Sequence, residues 1–288
     1  MKKASFMAIR WLAATALALL LLSGCSGQPL RNVEIQPPSR GLLHYLQQDR
    51  MANVSDRGYK VTIAAGQEAE LGREAELDLQ VLDPSGVQVE RFTEDMTKLM
   101  HMIVVSADLS SFDHVHPEHE GKGSFKTKVR FPHGGRFLLI SEFMPNDEGL
   151  TVVKQWVTVD GAEPEPERLE PGKSMVTTVD GMKVTLSLMP ELSEVKAGEM
   201  AMLGFVLRDA ATGKAIKLEP YLGTSGHCVI LDENAMQYLH VHAATEMSTG
   251  SSVMFHTTFP KPGVYKLWGQ FQFKGKVLVV PFVIEVKG

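Results

Sequence analysis

Ala75-Glu-Leu-Asp-Leu-Gln-Val81 places an apolar side chain at every second position with a polar one between. Period two marks a strand with one face in a core and the other in water, because successive side chains project to opposite faces. Met182-Lys-Val-Thr-Leu-Ser-Leu188 does the same in the second half. From Tyr59 onward such segments are short and are separated by turn sequences, among them Asp83-Pro-Ser-Gly86, Pro132-His-Gly-Gly135 and Lys261-Pro-Gly263. This pattern predicts an all-β chain of antiparallel β-sandwiches. The length of 288 residues suits two of them, since domains cluster near ~100–150 residues.

Gly161-Ala-Glu-Pro-Glu-Pro-Glu-Arg-Leu-Glu-Pro171 interrupts the strands with three prolines and five charged residues, and reads as an interdomain linker. The expected modules are residues 55–160 and 174–288, with the linker at 161–173. Hydrophobic residues at 44% and charged residues at 22% exclude a disordered chain. A net charge of -5 and a pI of about 6.1 remove the attraction that drives generic nucleic-acid binding. The two cysteines, Cys25 and Cys228, cannot build a disulfide framework, so packing must supply stability.

The first of these cysteines ends a processing signal. Lys2, Lys3 and Arg10 precede the run Trp11–Leu22, which is apolar apart from Thr15 and too short to span a bilayer. Leu22-Ser23-Gly24-Cys25 resembles the bacterial lipobox, which implies cleavage before Cys25 and diacylglycerol on its thiol. Residues 1–25 are then the signal, and the mature chain lies outside the cytoplasm, held to the membrane by acyl chains. Removing three bases leaves 26 against 34 acids, a net charge of -8 that discourages adhesion to anionic lipid. Residues 26–54 read as a tether, proline-bearing at first, with a short helix possible at Leu42, Leu43, Tyr45 and Leu46.

The two halves repeat one another. His101 is followed thirteen residues later by His114-Val115-His116, and His227 thirteen residues later by His240-Val241-His242. Phe131-Pro132 and Phe259-Pro260 each precede an aromatic-containing run, and Glu142-Phe143 stands where Gln270-Phe271 stands in the second copy. One His-x-His is weak evidence; the recurrent three-histidine frame points to a duplicated module.

A hairpin explains the spacing. With Ser106–Leu109 as the turn, Val105 pairs with Ser110, and His101 lies opposite His114 with His116 on the same face. The second copy, turning at Asp232–Ala235, sets His227 opposite His240 with His242 beside them. The geometry requires an even turn. Three convergent neutral imidazoles with open positions suit zinc, copper or nickel. Met100 and Met102 have the wrong parity to join His101, and Cys228 to join His227, so these sulfurs are expected in the core. A blue-copper site, which needs a cysteine thiolate beside two histidines, is disfavoured on the same ground. Glu118 and Glu142 are possible additional ligands; Gln270, the counterpart of Glu142, carries no charge, which implies unequal affinities. His119 is expected in a loop, and His44, His133 and His256 lack repeat partners and read as surface or structural residues. A core role for the repeated histidines, hydrogen-bonded without an ion, is the competing explanation.

Met100-His-Met-Ile-Val-Val-Ser-Ala-Asp-Leu-Ser-Ser-Phe-Asp-His-Val-His-Pro-Glu118, Tyr221–Leu231, Tyr238-Leu-His-Val-His242 and Gly263-Val-Tyr-Lys-Leu-Trp-Gly-Gln-Phe271 resemble a family of bacterial secreted proteins and lipoproteins. The resemblance covers roughly residues 59–288 and implies an immunoglobulin-like or cupredoxin-like sandwich associated with metal handling. The second copy departs from it with Ala243 where the first has Pro117. The functions to weigh are a non-enzymatic lipoprotein that captures copper or zinc, an adhesion or assembly module that meets another envelope protein, and a metal-dependent enzyme with Glu142 as proton acceptor. No nucleophile motif or phosphate loop supports the enzyme. Neutral imidazole ligands would lose metal as pH falls through their titration range.

Overall fold

Alternation along the strands decides which side chains meet. In the computed structural model, which describes residues 56–65, 72, 74–146, 148–166, 168–244, 248 and 250–288, Ala75, Leu77, Leu79 and Val81 all point into one core. The signal, Cys25 and the tether lie outside the described residues.

Among the described residues the first module has nine strands: β1 (Lys60–Ala65), β2 (Glu74–Leu82), β3 (Phe92–Thr93), β4 (Met100–Ser106), β5 (Phe112–Val115), β6 (Glu118–Gly121), β7 (Ser124–Arg130), β8 (Gly135–Pro145) and β9 (Thr151–Val159). The second has eight: β10 (Val176–Val179), β11 (Met182–Met189), β12 (Met200–Asp209), β13 (His227–Asp232), β14 (Tyr238–His242), β15 (Ser252–Thr258), β16 (Gly263–Phe273) and β17 (Lys276–Val286). All ladders between these strands are antiparallel. The outer sheets run β1-β2-β7-β6 and β10-β11-β12-β15; the inner sheets run β3-β8-β4-β5, with β9 also on β8, and β14-β13-β16-β17. The chain is all-β, two sandwiches in tandem, as its alternation predicts.

The central strands of the inner sheets, β4 and β13, do not alternate between buried and exposed. Every residue of β4 is buried, because its two faces enter different cores. Met100, Met102 and Val104 face the first module's own core, whereas Ile103 and Val105 face a central core. In β13, Cys228 and Ile230 belong to the second module's core, and Val229 and Leu231 to the central one. The central core joins both modules: Ile140 and Val152 from the first pack with Tyr238 and Trp268 from the second. Phe112 stacks on Trp268 with ring centroids 4.7 Å apart. Four sheets therefore enclose three cores. The parity assigned to Met100, Met102 and Cys228 places all three sulfurs in intramodule cores, as expected.

The expected linker does not hold the modules apart. Gly134 N donates to Ala162 O and Gly172 N to Val283 O, each at 3.0 Å, so the proline-rich segment is pinned at both ends. Its Leu169 packs against the central core. Lys266 Nζ donates to Leu109 O at 2.8 Å and Lys154 Nζ to Met236 O at 2.7 Å, carrying polar contacts across the same boundary.

The shared core predicts that the modules unfold as a cooperative pair. Ile103→Ala removes apolar atoms where both modules meet and is expected to destabilise by about 2–5 kcal/mol, with loss of both modules in one transition in urea melts followed by tryptophan fluorescence and circular dichroism. Two separated transitions, only one of them shifted, would show that the modules fold independently.

Candidate metal centre

The histidine hairpins are built on longer turns than the sequence suggests. Val105 pairs with Phe112 and Ile103 with His114, so six residues, 106–111, form the connection and the register slips by two from the expected pairing of Val105 with Ser110. In the second copy Leu231 pairs with Tyr238 and His227 with His242, again leaving six residues, 232–237. Side-chain acceptors stabilise the wider turns. Asp108 Oδ1 receives Ser106 Oγ at 2.6 Å and Ser110 N at 3.0 Å, and Asp232 Oδ1 receives Gln237 N at 2.7 Å. Leu109 and Ala235 adopt the left-handed conformation at φ 59° and 55°, both buried. Sequence spacing could not distinguish four residues from six. Because a slip of two conserves the face, the histidines still converge.

His101, His114 and His116 form one group and His227, His240 and His242 another, with one potential ligand nitrogen from each residue lying within 4.8 Å of the others in its group. His101 Nδ1 is 3.1 Å from His114 Nε2, and His227 Nδ1 is 3.2 Å from His240 Nε2. Tautomers follow from the outer partners. His101 Nε2 is 3.0 Å from Asp95 O, an acceptor only, so it carries the proton and Nδ1 keeps its lone pair. His114 Nδ1 donates to Gln270 Oε1 at 2.9 Å, which leaves a lone pair on His114 Nε2 as well. With both rings neutral, two lone pairs face one another, an arrangement that repels unless a proton or a metal cation stands between them. His240 Nδ1 donates to Glu142 Oε1 at 3.0 Å and so turns its own lone pair toward His227. His116 Nε2 and His227 Nε2 are buried with no hydrogen-bond partner.

Burial disfavours the charged form of four of these rings. It holds His114, His227 and His240 well below the usual histidine range, with neighbouring imidazoles adding to the shift. Burial, then His101 and Lys98, brings His116 to about 3. Burial also raises Glu142 to about 7, so its contact with His240 is a hydrogen bond from a neutral ring and not an ion pair. Neutral imidazole is the ligand form.

The two groups are continuous. Ring centroids of His101 and His114 lie 5.5 and 5.3 Å from that of His240 across the module boundary. The sequence carries no signal for this, since nothing in one module's pattern specifies which face the other covers. Nor does spacing mark Asp95, whose backbone carbonyl orients His101, or Tyr238, whose hydroxyl donates to Glu142 Oε2 at 3.1 Å.

Three expectations are corrected. Glu118 is not at the site: the chain changes sheets at Pro117, and Glu118 lies exposed on β6, paired with Lys126 in the outer sheet. His119 is on the same strand, not in a loop, with its ring 4.7 Å from that of Phe125. Glu142 is opposite His101 in the ladder, but its two carboxylate oxygens reach His240 and Tyr238 of the second module. His133 bonds its neighbour's carbonyl, Gly134 O, at 2.7 Å, as a structural residue would.

The depressed histidines set the sign of the acid response. Between about pH 4.5 and 6.5 the unfolded chain protonates these four rings while the folded chain does not, so stability rises with pH there; the raised carboxyls of Glu142 and Asp113 oppose this with at most two protons. Metal-free protein is expected to unfold at lower urea at about pH 5 than at about pH 7. An unchanged midpoint would show that the rings are not held neutral.

No curated protein sequence matches the chain. Among solved structures, FdeC, an Escherichia coli adhesin, aligns at 14% identity and TM-score 0.26 over 82% of this chain and 66% of its own. Invasin, a bacterial integrin-binding protein, aligns at 11% identity and TM-score 0.23, over 77% and 39% respectively. Two fibronectin type III domains of chicken tenascin align at 10% identity and TM-score 0.23, over 79% and 98%. This chain thus spans under two thirds of the FdeC and invasin chains. The model of a family described as a domain of unknown function (DUF8832) matches residues 52–161 and again 177–288, and the chain belongs to that family, with two copies of its domain.

Proposed function

We propose that this protein is a non-enzymatic, lipid-anchored lipoprotein of the cell envelope that captures a transition metal, copper or zinc, at duplicated three-histidine sites. His101, His114 and His116 hold one ion and His227, His240 and His242 the other. The observation that carries the reading is the pair of close nitrogen contacts, 3.1 and 3.2 Å, between buried imidazoles, repeated in both modules. A tetrahedral ion with metal–nitrogen bonds of about 2.0–2.1 Å sets its ligands about 3.3 Å apart, so both pairs stand close to coordinating separation. The third histidine of each set then closes the site. Ligands of this type accept zinc and copper alike. The lipobox-like Leu22-Ser23-Gly24-Cys25 supports attachment through Cys25 and an extracytoplasmic location.

Zinc titration of metal-free protein against a chromophoric chelator is expected to give two bound ions per chain, and one after His114→Ala with His116→Ala. Elemental analysis of protein purified without chelator checks the native occupant. Absence of bound metal together with no uptake would reject the reading, and the histidines would then serve the core of an adhesion or assembly module.

Cys25→Ser is expected to abolish incorporation of labelled palmitate in bacterial cells and to release the protein from the membrane fraction. Retained label on the variant would place the lipid elsewhere or refute the anchor.

A further inference from the structure

Glu142 on β8 is paired with His101, and Gln270 on β16 with His227, so the two residues occupy equivalent places in the duplicated ladders. Neither serves the histidine beside it. Each reaches into the opposite module: Glu142 Oε1 takes the Nδ1 proton of His240 at 3.0 Å, and Gln270 Oε1 that of His114 at 2.9 Å. The exchange is reciprocal, and in both cases it leaves Nε2, the ligand atom, aimed into its own triad.

The partners are not equal. A carboxylate meets His240 where an amide meets His114. A second difference accompanies the first. Tyr238 pairs with Leu231 as Phe112 pairs with Val105. The tyrosine hydroxyl donates to the other oxygen of Glu142, whereas a phenylalanine in the matching place has nothing to donate. The ionisable acceptor is therefore held by a hydroxyl, and the amide acceptor stands without one. Gln270 Nε2 is buried with no hydrogen-bond partner. A cation on a histidine draws electron density from the ring, and a carboxylate on the far nitrogen answers that charge where an amide offers only a dipole. Charge-assisted hydrogen bonds are about twice as strong as neutral ones, and removing such partners costs about 10–100-fold in metal affinity.

We propose that Glu142 and Gln270 are positioning residues exchanged between the modules, and that Glu142 makes His227, His240 and His242 the tighter site for a divalent cation, filled before the first triad. This rests on the metal-binding reading above and ranks its two sites. It also makes the ligand geometry of each triad depend on the module opposite.

Zinc affinities measured by chelator competition in two backgrounds test this. His116→Ala disables the first triad and reports the second; His242→Ala reports the first. The second is expected to bind about 10–100-fold more tightly, Glu142→Gln in the His116→Ala background to lose that advantage, and Gln270→Glu in the His242→Ala background to gain affinity. A purely packing role for these side chains gives no such gain. Thermal melts of each metal-free variant separate misfolding from weakened binding. If Glu142→Gln does not fold, the ranking of the two triads and the Gln270→Glu response decide. Two sites of equal affinity, both indifferent to these substitutions, would overturn the inference and leave the two-site reading intact. No zinc uptake by the unsubstituted chain would overturn the reading itself.

Discussion

Burial of the central strands β4 and β13 on both faces is the constraint from which the rest of the structure follows. A sheet between two cores has no solvent side on which to place polar groups, and an unsatisfied buried polar group costs about 1–3 kcal/mol. β4 and β13 nevertheless carry His101 and His227 in such sheets, both essentially inaccessible to water. Every ring nitrogen there must find a partner among backbone carbonyls, other side chains or an ion. Asp95 O, Glu142 and Gln270 satisfy some of them; the inner nitrogens of each triad face one another.

The same boundary has two chemically distinct parts. Ile103, Val105, Val229 and Leu231 make it apolar, and Phe112 on Trp268 adds an aromatic contact. His101 and His227 continue the faces of these strands as the next residue of the same parity, so apolar packing and histidine clustering are successive stretches of one interface. Apolar residues supply the area that holds the modules together, and through that contact each carboxamide or carboxylate reaches the other module's histidine. Metal geometry and module docking are consequently aspects of one arrangement.

Duplication explains the near symmetry, and single substitutions explain its departures. The six-residue turns, the left-handed Leu109 and Ala235, and the crossed contacts of Glu142 and Gln270 recur at matching positions. Glu against Gln and Tyr against Phe break the symmetry most around the ring of His240, where the carboxyl and the hydroxyl meet.

Strand character, the antiparallel class, the duplication and the face on which each histidine lies were legible in the sequence, because alternation is a local property with period two. That parity survived a wrong turn length, since a slip of two residues returns every side chain to its face. It also separated Met100, Met102 and Cys228 from the imidazoles. The turn length, the departure of Glu118 to another sheet at Pro117 and the destination of Glu142 were decided by tertiary structure. Strand pairing beyond the hairpin and the packing of one sheet on another join residues far apart in the chain, as with Glu142 and His240, and no local pattern records which distant face will cover a given side chain.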